Sequence, residues 1–502
     1  MLPIASLFRR AKSNPRAAAL VADGRETGFA NLARRIEALA AAFVSLDDTP
    51  GSRIAVLGDA TTECLLAWLA ALAAGKTWVP LNTGDGNERI AAAIEATAPS
   101  VIVADGDGID RLAPGRAKVI LGRESGKLHD VTLAELIDRY AGAATPHPVA
   151  QPDSIQAILF TGGSGGTPKP VPHTVRMWNT AIAQTVVAFD IGHDERLLLA
   201  TPLAHGTGAF VLPVLAQGGA VVVPDDLSPK CLLEAMERHR VTIAAVPPAT
   251  VTAMLAVPGA MGRDLTSLRH LVVTGGALRG HTLEAAQPVF NHAVEAAYAL
   301  AEIAGPALAL RVADRRDRRD WVATGRPPAT LGVEAIGPDG RALGPGETGE
   351  IAVAGDAVAA GYFNMPKDSA KAFRDGWFRT GDAGFVDERG IVFVRGPIRD
   401  SFEIGGLTVH PAEIEAGLGL HPAVKECVAF AVEGGRWGPH AEAAVEFHPG
   451  MTAEEKALIG FAHAKLDTAR TPHRVHVMDR LPRDAAGRIS RRLAAEAAKS
   501  AR

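Results

Sequence analysis

A strand–helix–strand pattern near the start of the chain constrains the fold more than any other feature. Arg53 to Leu57 is a short apolar run, Glu63 to Ala74 is a largely apolar stretch of helical length, and Trp78 to Leu81 is a second apolar run. A helix that joins two short strands in this way is typical of neighbouring parallel strands. The runs Val101 to Ala104 and Val119 to Leu121 would add further strands. The sequence therefore predicts an α/β fold in which helices cover a parallel sheet.

Length and composition limit the class of protein. The chain has 502 residues, which is too long for one hydrophobic core, so two or more domains are expected. Hydrophobic residues make up 47% and charged residues 22%, as in a soluble globular protein, and a net charge of −4 without a long basic run gives no reason to expect nucleic-acid binding.

Cysteine usage and apolar runs indicate the compartment. The three cysteines, Cys64, Cys231 and Cys427, lie far apart and form neither metal-type spacing nor a disulfide framework. The longest apolar run, Cys64 to Gly75, is too short to cross a bilayer, and the first residues lack the apolar core of a signal peptide. We therefore expect a cytoplasmic protein with no membrane span.

A glycine-rich loop follows a predicted buried strand at Ile155 to Phe160. The stretch from Ile158 to Val171 is Ile-Leu-Phe-Thr-Gly-Gly-Ser-Gly-Gly-Thr-Pro-Lys-Pro-Val. Glycines allow backbone N–H groups to converge on phosphate oxygens, the hydroxyls of Thr161 and Ser164 add donors, and Lys169 adds a positive charge. The loop lacks the Gly-Lys-Ser/Thr ending of a Walker A motif. Taken alone, it predicts a phosphate site or an ordinary glycine-rich surface turn.

Further motifs follow in a fixed order: Thr201-Pro-Leu-Ala-His-Gly-Thr-Gly, His270-Leu-Val-Val-Thr-Gly-Gly-Ala, Ala297-Tyr-Ala-Leu-Ala-Glu, Gly376-Trp-Phe-Arg-Thr-Gly-Asp-Ala-Gly-Phe and Leu481-Pro-Arg-Asp-Ala-Ala-Gly-Arg-Ile-Ser-Arg-Arg-Leu. Together with the glycine loop, they resemble the motifs of adenylate-forming enzymes, a superfamily of acyl- and aryl-CoA synthetases, peptide-synthetase adenylation domains and luciferases. The resemblance extends from about Phe29 to Leu493. Without it, Ala297 to Glu302 would predict plain helix.

The resemblance implies a phosphate-binding loop that holds ATP. Its residues in this sequence are Thr161, Gly163, Ser164, Gly166 and Lys169, and the lysine is a candidate catalytic residue.

The resemblance also implies a nucleoside and metal site. Gly275 and Gly276 would pass beside the adenine, Tyr298 would stack on it, and Glu302 would bind the Mg²⁺ that accompanies the phosphates. Asp382 corresponds to the ribose ligand, because a carboxylate can accept hydrogen bonds from two hydroxyls. A solvated turn aspartate is the alternative for this residue.

An acid pocket and a moving domain complete the implied site. His205 and Ala277 are candidates for lining the pocket, beside the strand that starts near Thr242, although a loop histidine without a role is an alternative for the former. Arg399 corresponds to a hinge residue that also borders the nucleotide. Arg488 stands where the superfamily has its catalytic lysine.

The implied architecture is α/β with two unequal domains. A large N-terminal domain of mixed and parallel sheets with helices would occupy residues 1–394, and residues 395–399 would form a hinge. A small, mobile α+β domain would occupy residues 400–502.

The implied reaction joins a carboxylic acid to the α-phosphate of ATP and then transfers the acyl group to a thiol of CoA or of the phosphopantetheine on an acyl carrier protein. Departures from the motifs cluster at the ATP site: Gly162, Gly165, Ala301, Pro397 and Arg488. They leave three alternatives open: a working ligase of a divergent subgroup, adenylate-dependent β-lactone or amide formation, and an impaired protein that serves as a binding partner. Because Lys169, Glu302 and Asp382 are kept, the first is favoured.

Overall fold

A computed structural model describes residues 1–112, 117–121, 131–144, 148, 151–162, 168–278, 280–315, 323–404, 406–434, 439–483 and 489–500. Four predicted site residues lie outside these ranges: Gly163, Ser164, Gly166 and Arg488. Their assigned roles stay predictions.

Within the described residues, the helices are α1 Ala5–Ser13, α2 Phe29–Leu46, α3 Thr62–Ala73, α4 Asn87–Thr97, α5 Gly106–Ile109, α6 Leu133–Arg139, α7 Val175–Ala188, α8 Gly208–Gln217, α9 Pro229–Arg238, α10 Pro248–Leu255, α11 Gly280–Val289, α12 Pro366–Ala372, α13 Pro411–Leu418, α14 Glu455–His463 and α15 Arg491–Ser500. None of these described helices combines the length and apolarity that a membrane crossing requires.

The strands are β1 Ala18–Ala22, β2 Arg25–Gly28, β3 Arg53–Leu57, β4 Thr77–Leu81, β5 Val101–Ala104, β6 Lys118–Leu121, β7 Ile155–Phe160, β8 Pro170–Thr174, β9 Arg196–Leu198, β10 Ala220–Val222, β11 Ile243–Val246, β12 His270–Thr274, β13 Val294–Tyr298, β14 Leu308–Leu310, β15 Leu331–Ile336, β16 Gly349–Gly355, β17 Phe373–Arg374, β18 Trp377–Val386, β19 Val392–Pro397, β20 Phe402–Ile404, β21 Leu407–Val409, β22 Val424–Val432, β23 His440–Phe447 and β24 Arg474–Val477.

Two largely parallel sheets form the body of the protein. The first has the order β14-β13-β12-β11-β9-β10-β1-β2, with antiparallel pairing only at its two ends. The second has the order β6-β5-β3-β4-β7-β8 and is parallel except for the β7–β8 hairpin. The predicted parallel pairing of the first strand–helix–strand unit is confirmed, since Arg53 aligns with Thr77 and Leu57 with Leu81.

Helices α2, α3 and α8 join the two sheets into one hydrophobic core. Helix α3 is buried along almost its whole length because its sequence is apolar on every face. Trp68 on this helix stacks on Trp78 of β4 with ring centroids 4.8 Å apart. The predicted α/β class, with helices that cover parallel strands, is therefore confirmed.

A third sheet is antiparallel and has the order β15-β16-β18-β17, with β19 paired to the other part of β18. Beyond it, a short 3-10 turn at Ile398–Asp400 leads into a smaller α+β unit. This unit contains the β20–β21 hairpin and the β22-β23-β24 sheet, on which α13, α14 and α15 pack. We propose that the hinge lies at residues 395–399, which cover the end of β19 and the start of the 3-10 turn.

Most predicted elements agree with the structure to within one or two residues. The stretch from Ala297 to Glu302 does not form the helix that its composition favours. Instead, β13 ends at Tyr298 and pairs with β12 on one side and β14 on the other. Tertiary pairing outweighs the weak helical preference of alanine and leucine here.

Candidate active site

The candidate site lies where strands of the two parallel sheets end. Strands β11, β12 and β13 are adjacent and parallel, and they end at Val246, Thr274 and Tyr298. In the other sheet, β7 ends at Phe160, directly before the glycine loop. Loops at the carboxyl ends of parallel strands meet at one edge, which is where open α/β sheets bind ligands.

Hydrogen bonds at both ends fix the base of the glycine loop. The backbone N–H of Thr161 donates to the carbonyl of Lys169 at 3.0 Å, and the backbone N–H of Lys169 donates to the Thr161 hydroxyl at 3.0 Å. Arg89 donates to the Thr161 carbonyl at 3.0 Å. These bonds extend the β7–β8 hairpin by one step, so Lys169 leaves the loop in a fixed position.

The ammonium group of Lys169 has two partners on a neighbouring segment. Its Nζ lies 3.1 Å from Oδ1 of Asp368 and 4.8 Å from the ring centroid of Tyr362. About one third of each charged side chain is exposed (35% for the lysine and 33% for the aspartate). The cation is therefore held by an aromatic face and by a solvent-exposed ion pair, and an incoming anion can replace the aspartate of that pair.

Glu302 lies in the turn after β13 and is only 7% exposed. The hydroxyl of Tyr362 donates to its Oε1 at 2.8 Å. Burial raises the pKa of Glu302, while the bond from Tyr362 and the charge of Lys169 oppose that rise. A buried carboxylate with a raised pKa is stabilised in its ionised form when a cation binds beside it.

The donor set around Glu302 fits a magnesium ion that arrives with a nucleotide. Among the described residues, no group of three or more His, Cys, Asp or Glu side chains could hold a metal ion. Mg²⁺ commonly takes one or two carboxylates and completes its shell with substrate phosphates and water. A single carboxylate near Lys169 matches that mode of binding.

Asp382 and Tyr298 form a direct pair between the first and third sheets. The phenol donates to Oδ2 of Asp382 at 2.5 Å. Burial raises the pKa of Asp382, against the bond from Tyr298 and the charge of Arg399. Burial and the Asp382 charge together raise the pKa of Tyr298, so the phenol keeps its proton as the donor.

Arg399 is close enough to act on Asp382 electrostatically but lies at the surface. Its side chain is 67% exposed, and its Nε is 3.8 Å from Oδ1 of Asp400. The residue follows β19, whose Pro397 aligns with Asp382 across the third sheet. Its predicted place, next to the nucleotide and at the hinge, agrees with this position but stays a prediction.

The predicted acid-pocket residues come from three adjacent elements. His205 lies in the loop before α8, and its Nε2 is 3.2 Å from Nδ2 of Asn82, which follows β4 in the second sheet. The next residue, Gly206, packs so tightly that an added Cβ would lie 2.3 Å from the Thr274 methyl group. This places the histidine loop against the end of β12.

The turn after β12, Gly275-Gly276-Ala277, borders the predicted acid pocket. Gly275 has φ +79°, a conformation that favours glycine, and an added Cβ on Gly276 would lie 3.3 Å from Pro248. Gly275, Gly276 and Ala277 are exposed. The structure thus brings together His205, the β11–α10 connection and this turn, and their role in binding the acid stays a prediction.

Three residues that contact this site have no role in the predictions from sequence: Tyr362, Asp368 and Asn82. The sequence could have pointed to Tyr362, because the chain has only three tyrosines and Gly361-Tyr-Phe-Asn follows the glycine motifs in order. The other two gave no signal in sequence. Arg488 lies outside the described residues, although Arg483 and Ile489 on either side of it pair as a β-bridge.

Comparisons with known proteins cover nearly the whole chain. A family model described as AMP-binding enzyme matches residues 7–363, and one described as AMP-binding enzyme C-terminal domain matches residues 413–488. The chain is 32% identical over 489 residues to a feruloyl-CoA synthase from an Amycolatopsis species, with 96% of each chain covered.

Solved structures give the same likeness. ATP-bound MatB from Rhodopseudomonas palustris superposes with a TM-score of 0.88 at 26% identity, covering 100% of this chain and 99% of that chain. The amide bond synthetase McbA from Marinactinospora thermotolerans gives a TM-score of 0.87 at 25% identity, covering 98% of this chain and 99% of that chain.

Proposed function

The chain belongs to the AMP-binding, adenylate-forming enzyme family, and on this premise we propose which of its residues carry each step of the reaction. It is an acid–thiol ligase that uses ATP to activate a carboxylic acid as an acyl-adenylate, releases pyrophosphate and transfers the acyl group to a thiol. Adenylate-forming CoA ligases use ATP and CoA together with the acid. The relatives do not favour the β-lactone, amide and non-catalytic alternatives.

In the first step, a carboxylate oxygen attacks the α-phosphorus as the bond to the pyrophosphate oxygen breaks. Both reactants are anions, so catalysis depends on positioning and on cationic stabilisation. We assign Lys169 and the amides of the glycine loop to the phosphate oxygens. Glu302 would hold the Mg²⁺, which would supply positive charge to the phosphates.

Asp382 and Tyr298 hold the nucleoside. The carboxylate accepts hydrogen bonds from the ribose hydroxyls, and the tyrosine ring provides a face for the adenine. The observation that carries the proposal is the convergence of Lys169, Glu302 and Asp382, which come from three separate segments of the chain. Tyr362 links the first two, and the charges of Lys169 and Asp382 both act on the pKa of Glu302.

We assign Arg488 to the place of the family's catalytic lysine, between the acid carboxylate and the α-phosphate. A guanidinium keeps the positive charge and can donate two parallel hydrogen bonds to oxygens, although its geometry differs from that of an ammonium. Arg488→Lys should therefore preserve or raise the rate of adenylation. A large loss of rate would show that the arginine has another task.

The acid is held beside His205, Ala277 and the Gly275-Gly276 turn. The similarity to a feruloyl-CoA synthase makes hydroxycinnamic acids the first class to test. Asn82 and His205 would then offer polar contacts to ring substituents at the wall of the pocket. CoA is the first acceptor to test, and the phosphopantetheine of an acyl carrier protein is the second.

The test is pyrophosphate release with ATP, Mg²⁺ and a panel of carboxylic acids, with and without CoA. We expect release that depends on the acid and formation of an acyl-CoA when CoA is present. Lys169→Ala, Glu302→Ala and Asp382→Ala should each slow release strongly, whereas Asp339→Ala, in an exposed turn, should not. Equal turnover by the first three variants and the wild type would refute the site assignment.

A further inference from the structure

We infer that Tyr362 is a positioning residue of the adenylation site: its ring carries Lys169 and its hydroxyl orients Glu302, so one side chain sets the spacing between the phosphate-binding cation and the metal-binding carboxylate. This inference rests on the proposed roles of Lys169 and Glu302. It adds a residue to which the sequence motifs gave no task.

The two contacts use different parts of the same side chain. The Lys169 ammonium lies 4.8 Å from the Tyr362 ring centroid, within the range of a cation–π contact. The phenol donates to Oε1 of Glu302 at 2.8 Å. Since the ring is rigid, the cation over its face and the carboxylate at its hydroxyl are held at a fixed separation.

Tyr362 can act as a positioning residue because its own place is fixed. The side chain is 9% exposed, and the ring of Phe373 packs edge-on against it with centroids 5.4 Å apart. Its backbone N–H donates to the hydroxyl of Ser369 at 2.8 Å. Neither the ring nor the backbone can shift without disturbing this packing.

The surrounding segment, residues 357–369, is tied to both functional elements, and we call it the strap. The backbone N–H of Ala359 donates to the Glu302 carbonyl at 2.8 Å, beside the glutamate turn. The backbone N–H of Phe363 donates to the Pro170 carbonyl at 2.8 Å, next to Lys169. The strap therefore joins the end of the glycine loop to the glutamate turn, and Tyr362 projects between them.

Asp368 on the strap supplies the counterion that Lys169 exchanges for phosphate. The ion pair at 3.1 Å is about one third exposed on each side, so breaking it costs little. Before ATP binds, the pair keeps the ammonium over the ring. The phosphates then replace the aspartate without requiring the lysine to leave the aromatic face.

Tyr362→Phe separates the two contacts, because it keeps the ring and removes the hydroxyl. Without the phenol, Oε1 of Glu302 loses the 2.8 Å hydrogen bond that orients the carboxylate. We expect the Mg²⁺ concentration for half-maximal pyrophosphate release to rise about tenfold. The rate at saturating Mg²⁺ should stay close to that of the wild type, and a purely structural role would not separate metal affinity from turnover in this way.

The chain offers a matched control in Tyr140→Phe. Tyr140 also donates its phenol proton at 2.8 Å, to the exposed hydroxyl of Ser45, and it contacts no part of the site described above. This variant should show the Mg²⁺ dependence of the wild type. The inference is wrong if Tyr362→Phe also shows the Mg²⁺ dependence of the wild type while Glu302→Gln loses magnesium-dependent activity. The proposed function would then still stand.

Asp368→Asn tests the lysine contact without opening the core. Removal of the competing charge should tighten ATP binding about threefold, measured by calorimetry at fixed Mg²⁺. Unchanged or weaker binding would overturn the exchange between aspartate and phosphate. A wild-type protein that releases no acid-dependent pyrophosphate would instead refute the proposed function itself.

Discussion

The phenol of Tyr298 donates a hydrogen bond to Asp382 at 2.5 Å, although 84 residues separate them in the chain. Tyr298 ends a strand of the first sheet, and Asp382 lies on β18 of the third sheet. The bond therefore fixes the third sheet against the carboxyl edge of the first. It also fixes the position of the Asp382 carboxylate relative to the Tyr298 ring before a nucleoside binds.

Tyr298→Phe should weaken ATP binding while retaining the aromatic face. Without the phenol, Asp382 loses a bond that opposes the burial-induced rise of its pKa, so less of the carboxylate is ionised as the pH falls. We expect KM for ATP to rise about fivefold at neutral pH, and by more at pH 6 than at pH 8. Steady-state pyrophosphate release at several pH values measures this, with Tyr140→Phe as the control. An equal effect at all pH values would contradict the explanation.

Asp382→Asn should abolish discrimination between ATP and its deoxyribose analogues. The ionised carboxylate accepts from both ribose hydroxyls, so the wild type should use 2′-deoxy-ATP and 3′-deoxy-ATP about tenfold less well each. In the variant, kcat/KM for ATP should fall toward the kcat/KM that the wild type shows with the analogues. The kcat/KM for the analogues themselves should change much less. Asp339→Asn, in an exposed turn, is the control. If the variant keeps the preference of the wild type for ATP, Asp382 is not the ribose ligand.

Local sequence predicted the strands, the main helices and the loops that carry the motifs, because the spacing of apolar residues and the positions of glycines are local properties. It could not predict that Tyr362 bonds to Glu302 or that Asn82 contacts His205, since each pair joins segments that only the tertiary fold brings together. The same limit explains why the helical alternative for Ala297–Glu302 fails, since pairing with β12 and β14 decides the conformation there.

His173 should make the protein sensitive to acid. It is 3% exposed, its Nε2 lies 2.7 Å from the Ala301 carbonyl, and burial lowers its pKa from 6.5 to about 4. The folded state therefore binds fewer protons than the unfolded state between these values. The stabilising contribution is complete above pH 6.5 and decreases, by at most about 3 kcal/mol, as the pH falls through this window.

His173→Gln should flatten this pH dependence, because the amide can still donate to the Ala301 carbonyl but does not titrate. The measurement is the free energy of unfolding by urea between pH 7.5 and 4.5. His193→Gln is the control, since the His193 side chain is 79% exposed. An unchanged slope in His173→Gln would show that other groups cause the loss of stability in acid.

Docking of the small domain should weaken in acid through a pair of histidines. Nε2 of His281, on α11 of the large domain, lies 2.9 Å from Nε2 of His448, and Nδ1 of His281 lies 2.7 Å from the Gly419 carbonyl. If Nδ1 donates to that carbonyl, Nε2 accepts from His448, so the contact holds only one proton between the rings. A proton on Nε2 of His281 would set two N–H donors against each other and remove this hydrogen bond.

Burial lowers the pKa of His448, and electrostatic interactions with His281 and Lys425 lower it further. The docked state therefore binds a proton less readily than a detached small domain does. As the pH falls and His448 titrates, the equilibrium constant for docking should decrease by up to about tenfold per pH unit. Small-angle scattering should show a larger radius of gyration at pH 5.5 than at pH 7.5. His448→Gln, which can still donate to His281, should remove this change, whereas His463→Gln, at an exposed position of α14, should keep it. A pH-dependent expansion that persists in His448→Gln would place the titrating group elsewhere in the interface.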